Sequence, residues 1–181
     1  MTRANWLILG LAVLAAAIGG YLQPRSSPAP TDNGGTANSE LTGWPAPNFA
    51  LPDQAGQMHH LADYRGRRVL VNFWATWCDP CLREMPALAQ AQAKFGERDT
   101  IVLGVGLDEP RRIHAFLGKF PVNYPILLGD VNGTPTLTMW GDRRALLPYS
   151  VLIDADGNVL AAHVGALSPE QLKHWMTWSA D

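Results

Sequence analysis

The stretch VLVNFWATWCDPC, residues 69–81, decides how this sequence is interpreted. Residues 69–74 are apolar apart from Asn72, which predicts a strand covered on both faces. The strand leads into Cys78 and Cys81, the only two cysteines among the 181 residues. A strand that ends in Cys-x-x-Cys and opens a helix is typical of a redox dithiol.

The predicted helix over residues 78–95 explains the chemistry of this pair. Unpaired backbone N–H groups and the positive end of the helix dipole favour a thiolate at a helix start. Cys78 would lie at that end and Cys81 one turn further in. We therefore expect Cys78 to be the exposed nucleophile, and Cys81 to attack the mixed disulfide that Cys78 forms.

Two other interpretations of the pair stay open. Half of a zinc site would need two more ligands from His, Asp or Glu, because no further cysteine exists. No two histidines are separated by three to five residues, the spacing that zinc sites use; the histidines are His59, His60, His114, His163 and His174. A structural disulfide would close a very small loop, which removes little entropy from the unfolded chain. A redox dithiol is therefore favoured.

The amino-terminal residues indicate export from the cytoplasm. Residues 6–22 form an uncharged apolar run, at the short end of what spans a bilayer. Arg3 precedes the run, which favours an amino terminus in the cytoplasm. We predict a membrane anchor over residues 1–22; a cleaved signal peptide is the alternative, with small residues at 15–17. Both place the remaining chain outside the cytoplasm.

Two further segments follow. Residues 23–43 are rich in Pro, Ser, Thr, Asn and Gly, which predicts a flexible linker. Residues 44–181 have the length of one ordinary domain. The net charge of −2 and the lack of a basic patch give no reason to expect nucleic acid as a partner.

Hydrophobic patterning gives a coarse order of elements within residues 44–181. We predict strands over residues 48–51, 58–61, 69–74, 101–106, 124–128, 150–153 and 159–164, and helices over 78–95, 110–120 and 168–178. Residues 129–144 look irregular. Ser168, Pro169 and Gln171 predict a capping box at the start of the last helix. The order indicates a mixed sheet with helices on both faces, and Cys78 at the carboxyl end of a strand, where such sheets place their sites.

Three spaced motifs carry a family resemblance. Residues 69–86 resemble the core motif of TlpA/ResA-like thiol-disulfide oxidoreductases almost throughout. Residues 45–51 resemble that family's amino-terminal extension, and residues 147–154 its cis-proline loop and following strand. The resemblance implies an α/β, thioredoxin-like fold: a central mixed sheet flanked by helices, with an amino-terminal β-hairpin extension.

The resemblance also implies roles around the dithiol. Pro148 is similar to the family's cis-proline, although Thr134 and Pro135 read like the same loop. A cis peptide at Pro148 would leave the backbone of Leu147 able to pair with a substrate strand. Trp77 is expected to form an apolar docking surface with Pro148 and Tyr149.

A carboxylate completes the expected site. Glu84 follows Cys81 by three residues, so both share one helix face. In the resembling family an acid here lies near the dithiol and affects its proton transfer; a solvated helix glutamate is the alternative. Asn72 stands where cytoplasmic thioredoxins carry a buried Asp, and an amide cannot accept the proton of Cys81. Trp74 is expected in the core.

The sequence thus predicts a reductase of client disulfides, single-pass in the inner (cytoplasmic) membrane with its catalytic domain in the periplasm or otherwise outside the cytoplasm. The resemblance implies a transmembrane thiol-electron donor and clients such as apocytochromes c or copper-site proteins. We expect no cofactor and no metal. A disulfide-forming oxidase and a non-enzymatic copper chaperone remain alternatives, with His163 as a conceivable copper ligand. A peroxidase would carry Thr where Ala75 stands.

Overall fold

The computed structural model describes residues 41–96 and 100–178. The elements follow in the order β1 (Ala50–Pro52), β2 (Met58–His60), a 3-10 helix (Leu61–Tyr64), β3 (Arg68–Trp74), α1 (Asp79–Phe95), β4 (Thr100–Gly106), α2 (Pro110–Leu117), β5 (Ile126–Leu128), α3 (Thr134–Met139), β6 (Tyr149–Ile153), β7 (Val159–Val164) and α4 (Pro169–Met176). Strands β1 and β2 form a separate antiparallel pair. The fold is the expected thioredoxin-like one.

The central sheet has five strands in the order β5-β4-β3-β6-β7. Strand β3 pairs in parallel with β4 and antiparallel with β6, so it lies in the middle of the sheet. Its side chains alternate between two buried clusters, with Leu70 and Trp74 in one and Val71 and Phe73 in the other. The apolar character of β3 on both faces follows from this position, as predicted.

Residues 129–144 are not irregular throughout, because α3 lies within them. Threonine and proline have low helix propensity, and six residues are too few to show a helical period. The helix is instead stabilised by tertiary packing of Leu137 and Trp140, whose side chains are both buried in the core. Tertiary burial therefore overrides a weak local signal here.

Helix α2 ends earlier than predicted. It closes at Leu117, with Gly118 as its C-cap, rather than continuing to Phe120. Glycine is a poor residue in a helix interior, which explains the stop. The predicted amphipathic face is otherwise present, because Ile113 and Leu117 are buried.

The folded body begins before Trp44. Leu41 packs against a buried cluster, Thr42 forms a bridge with Val159, and the Gly43 N–H donates to the Val159 carbonyl at 2.8 Å. The last three residues of the predicted linker, 41–43, thus belong to the folded domain and contact its strand β7 and core.

The predicted anchor, residues 1–22, lies outside the described residues, as does the linker up to residue 40. Within residues 41–96 and 100–178, none of the helices has the length and apolar character of a membrane span.

Candidate active site

The dithiol lies at the junction of β3 and α1. The chain leaves β3 at Trp74 and turns, and the Cys78 N–H donates to the Ala75 carbonyl at 3.2 Å. Cys78 is the N-cap of α1, and its sulfur accepts from the Cys81 N–H at 3.3 Å. The two cysteines form a disulfide. The predicted start of this helix at Cys78 is therefore confirmed.

Both cysteines are less exposed than the sequence suggested. Cys78 is 5% exposed and Cys81 1%. The expectation of an exposed nucleophile is wrong for this oxidised state, because both cysteines pack into the buried cluster that contains Trp74 and Met85. Cys78 is the more exposed of the two, and its role as the attacking sulfur stays a prediction.

Glu84 lies in the second turn of α1 and is buried, so the solvated alternative is wrong. Its side chain is 4% exposed. One carboxylate oxygen accepts from the Leu167 N–H at 2.7 Å, and the other accepts from the Asn72 amide at 3.2 Å. Burial raises the pKa of Glu84 to about 7, although the two hydrogen bonds oppose the rise. This carboxyl can therefore gain and lose a proton near neutral pH.

Asn72 connects Glu84 to a residue that the sequence analysis missed. The same amide nitrogen donates to the Ser150 hydroxyl at 3.0 Å, and Ser150 is fully buried. Ser150 has the one small polar side chain in strand β6, and buried polar groups require partners. That isolated polar residue was the available signal. Asn72 is thus a hydrogen-bonded strand residue.

The cis-proline loop lies at the same end of the sheet as the dithiol. The Leu147–Pro148 peptide is cis, and β6 begins just after it with Tyr149 opposite Phe73 of β3. Pro135 lies instead at the start of α3 and is not preceded by a cis bond. Within the described residues, neither the N–H nor the carbonyl of Leu147 has a main-chain hydrogen-bond partner. The cis peptide bond that the resemblance implied at Pro148 is present, and pairing of the Leu147 backbone with a substrate stays a prediction.

The expected apolar docking surface is only partly present. The Trp77 side chain is 65% exposed beside Cys78, as a docking residue should be. Tyr149 is 1% exposed, its ring stacks on Phe73 at 6.0 Å, and its hydroxyl donates to the Trp140 carbonyl at 2.7 Å. A surface role for the Tyr149 side chain is wrong, because strand alternation turns it onto the sheet face opposite the cysteines.

No clustering of possible metal ligands appears in the described part of the chain. Within residues 41–96 and 100–178, no three His, Cys, Asp or Glu side chains lie close enough together to bind a metal ion. His163 lies in β7, opposite Ser150, and burial lowers its pKa although a hydrogen bond with the Ala166 backbone opposes this.

The class of protein follows from this geometry. An oxidised Cys-x-x-Cys that caps the first helix after a central strand, with a cis-proline loop at the same sheet edge, is the arrangement of a thiol-disulfide oxidoreductase. The protein is an enzyme of that class.

The chain belongs to the AhpC/TSA family, which matches residues 42–162. It is 35% identical over 129 residues to the thiol-disulfide oxidoreductase ResA of Geobacillus thermodenitrificans, a match covering 71% of this chain and 72% of that relative. The ResA of Bacillus subtilis is 30% identical over 139 residues, with 72% of each chain covered. The resemblance to ResA-like enzymes is confirmed.

Solved structures agree. A proposed thiol:disulfide interchange protein DsbE from Chlorobium tepidum superposes with a TM-score of 0.65 and 35% identity, covering 73% of this chain and 92% of that chain. The exposed lipoprotein thioredoxin Etrx1 of Streptococcus pneumoniae gives a TM-score of 0.62 at 26% identity, covering 72% and 98%.

Proposed function

We propose that the protein is an extracytoplasmic, membrane-anchored reductase of disulfides in client proteins. The observation that carries this proposal is Glu84, a buried carboxyl one helical turn beyond Cys81 with a pKa of about 7. The ionised Glu84 carboxylate disfavours the thiolate forms of Cys78 and Cys81, because like charges repel. A less stable dithiolate form makes the pair a stronger reductant.

The reaction has two exchange steps. The Cys78 thiolate attacks a client disulfide, forms a bond to one client sulfur and releases the other client sulfur as a thiolate. Cys81 then loses its proton and attacks the Cys78 sulfur, which releases the second client thiolate. The client gains two electrons and the Cys78–Cys81 bridge forms.

Glu84 supplies the proton acceptor that the second step needs. Cys81 is almost fully buried, so water has little access to its thiol. Asn72 cannot accept a proton, whereas Glu84 shares the helix face of Cys81 and is partly ionised at neutral pH. Asn72 and the Leu167 N–H hold its carboxylate in place.

The cis-proline loop and Trp77 would receive the client. The unpaired Leu147 backbone offers a donor and an acceptor to an extended client segment, in the manner of strand addition. The exposed Trp77 ring adds apolar contact beside the nucleophile.

Location and partners rest on the sequence. The apolar run over residues 6–22 would anchor the chain in the cytoplasmic membrane and place the domain in the periplasm or outside the cytoplasm. The dithiol would need re-reduction there, which we assign to a transmembrane thiol-electron donor. Apocytochromes c and copper-site proteins are the proposed clients. A similar protein from Streptococcus pneumoniae is described as an exposed lipoprotein.

The reduction potential of the Cys78–Cys81 pair tests the proposed direction. We expect a value at or below roughly −200 mV, in the range of reductants, from equilibration with glutathione or dithiothreitol. A value near about −120 mV would identify an oxidant that forms disulfides and would exclude the reductase.

A further inference from the structure

The turn before the nucleophile is tied to the neighbouring strand. The Leu107 N–H donates to the Trp74 carbonyl at 2.8 Å, so the ends of β3 and β4 lie side by side. The next residue after Leu107 is Asp108, and its carboxylate reaches across to Thr76, the central residue between Ala75 and Trp77.

The Asp108 carboxylate is buried, and each of its oxygens has a partner. One oxygen accepts from the Thr76 N–H at 3.3 Å and also from the Thr76 hydroxyl. The other accepts from the Glu109 N–H at 2.7 Å, and the Arg112 guanidinium lies 4.0 Å away. Asp108 is 6% exposed. A carboxylate this buried is retained only where such donors hold it.

Thr76 therefore has both its backbone N–H and its hydroxyl committed to one side chain. A second bond, from the Cys78 N–H to the Ala75 carbonyl, closes the turn at its far side. Trp77 lies between these two anchors, and its ring is the one large apolar group of the turn that stands in solvent. The backbone that Asp108 holds through Thr76 sets the point at which the exposed Trp77 side chain leaves the turn.

We propose that Asp108 is a positioning residue for thiol-disulfide exchange: through Thr76 it holds the turn that presents the Trp77 ring to a peptide approaching Cys78. Loss of this contact lets the turn move, and the ring then no longer offers a fixed apolar surface. Exchange with a peptide disulfide slows as a result. Exchange with a small disulfide that does not reach Trp77 is affected less.

The full-length chain, reduced and freed of reductant, gives a direct test. The first probe is an apolar peptide whose cysteine is disulfide-bonded to thionitrobenzoate, and the second is Ellman's reagent. In both, the Cys78 thiolate forms a new S–S bond and thionitrobenzoate leaves with the electron pair of the broken bond. The ratio of the two second-order rate constants isolates peptide docking, because a change in thiolate reactivity alters both rates alike.

We expect Asp108→Ala to lower the peptide-to-Ellman ratio about tenfold, the size of a lost hydrogen bond to a charged group. Thr76→Val removes the hydroxyl donor at similar volume and should lower the same ratio. Thr76→Ser keeps the hydroxyl and should keep the ratio near the wild-type value. The Thr76 pair decides the outcome if Asp108→Ala does not fold. Glu109→Ala removes the adjacent exposed carboxylate, which has no bond to Thr76, and should leave the ratio unchanged.

The route through Trp77 is tested by a double-mutant cycle. Trp77→Ala alone should lower the peptide-to-Ellman ratio. Adding Thr76→Val or Asp108→Ala to Trp77→Ala should lower the ratio further by less than about twofold. The proposal is overturned if the ratio stays at the wild-type value in both Asp108→Ala and Thr76→Val. Full additivity with Trp77→Ala would equally overturn it.

Discussion

At the scale of single residues, Glu84 is the group whose state differs most from what its position along the chain suggests. A glutamate in the second turn of a helix is ordinarily solvated. Here Asn72 and the Leu167 N–H hold it in the core, where burial raises its pKa to about 7. The proton on Glu84 therefore couples the protein's stability to pH.

Glu84→Gln should remove much of that coupling. Between pH 4.5 and about 7 the folded protein keeps a proton on Glu84 that the unfolded chain has released, so the free energy of unfolding falls as pH rises through this window. The loss is on the order of 2 kcal/mol and is complete above the folded pKa. Denaturant unfolding of the oxidised protein at about pH 5 and about pH 8 measures it.

A matched control separates this effect from a general change of charge. Glu170→Gln alters an exposed carboxylate in the first turn of α4 and should keep the wild-type pH dependence. The Glu84→Gln side chain fits the site, because the Asn72 amide can rotate and the Ser150 hydroxyl can then donate instead of accept. An unchanged pH slope in Glu84→Gln would show that another group carries the coupling.

Cys81→Ser should trap client proteins as mixed disulfides with Cys78, because the resolving thiolate is gone. Non-reducing electrophoresis of cells that express the variant would show adducts that disappear with dithiothreitol. Cys78→Ser should abolish turnover and form no such adducts, and is the matched control. Absence of any adduct in Cys81→Ser would contradict the two-step exchange.

At the scale of elements, the start of α4 holds the backbone that binds the Glu84 carboxylate. The Ser168 hydroxyl accepts from the Gln171 N–H at 3.2 Å, and the Gln171 side chain accepts from the Ser168 N–H at 2.9 Å. The preceding residue, Leu167, donates to Glu84. The capping box that the sequence predicted thus fixes the backbone that holds the buried carboxylate.

Ser168→Ala should lower the free energy of unfolding by about 1 kcal/mol, the usual cost of losing an N-cap. Thermal or urea unfolding measures the change. Ser168→Asp keeps an oxygen acceptor at the cap and should retain near wild-type stability. Equal destabilisation by both variants would show that the cap bond is not the cause.

At the scale of the whole molecule, the sheet brings together segments that are distant in the chain. Strand β6 pairs with β3 across about half of the domain and delivers Pro148 to the dithiol end. At the β7 edge of the sheet, Thr42 and Gly43 contact Val159, the first residue of β7. The boundary of the folded body is therefore set by β7 and not by the composition of the linker.

A fragment that begins at Leu41 should be more stable than one that begins at Trp44, by about 1–2 kcal/mol. The longer fragment keeps the Gly43 hydrogen bond and the apolar contacts of Leu41. Urea unfolding of the two fragments compares them. Leu41→Ala in the longer fragment should lose part of the difference, and equal stability of the two fragments would place the boundary at Trp44 after all.

The sequence by itself determined the fold class, the dithiol and the helix cap. Residues 69–81 carry an apolar strand and a Cys-x-x-Cys together, and Ser168 with Gln171 carries a capping box. These features are local: hydrophobic period, helix-terminus chemistry and cap hydrogen bonds are all set by residues within a few positions of each other. Glu84 was placed on the helix face of Cys81 by the same short-range rule.

Only the tertiary structure decided which side chains are buried and what they contact. Tyr149 follows Pro148 directly, yet the pleat of β6 sends its ring to the core. Ser150 contacts Asn72 from the neighbouring strand β6, and Asp108 contacts Thr76 from the segment that follows β4. Helix α3 forms because Leu137 and Trp140 are buried in the core. Such contacts depend on strand order and register, which bring together residues that no local pattern relates.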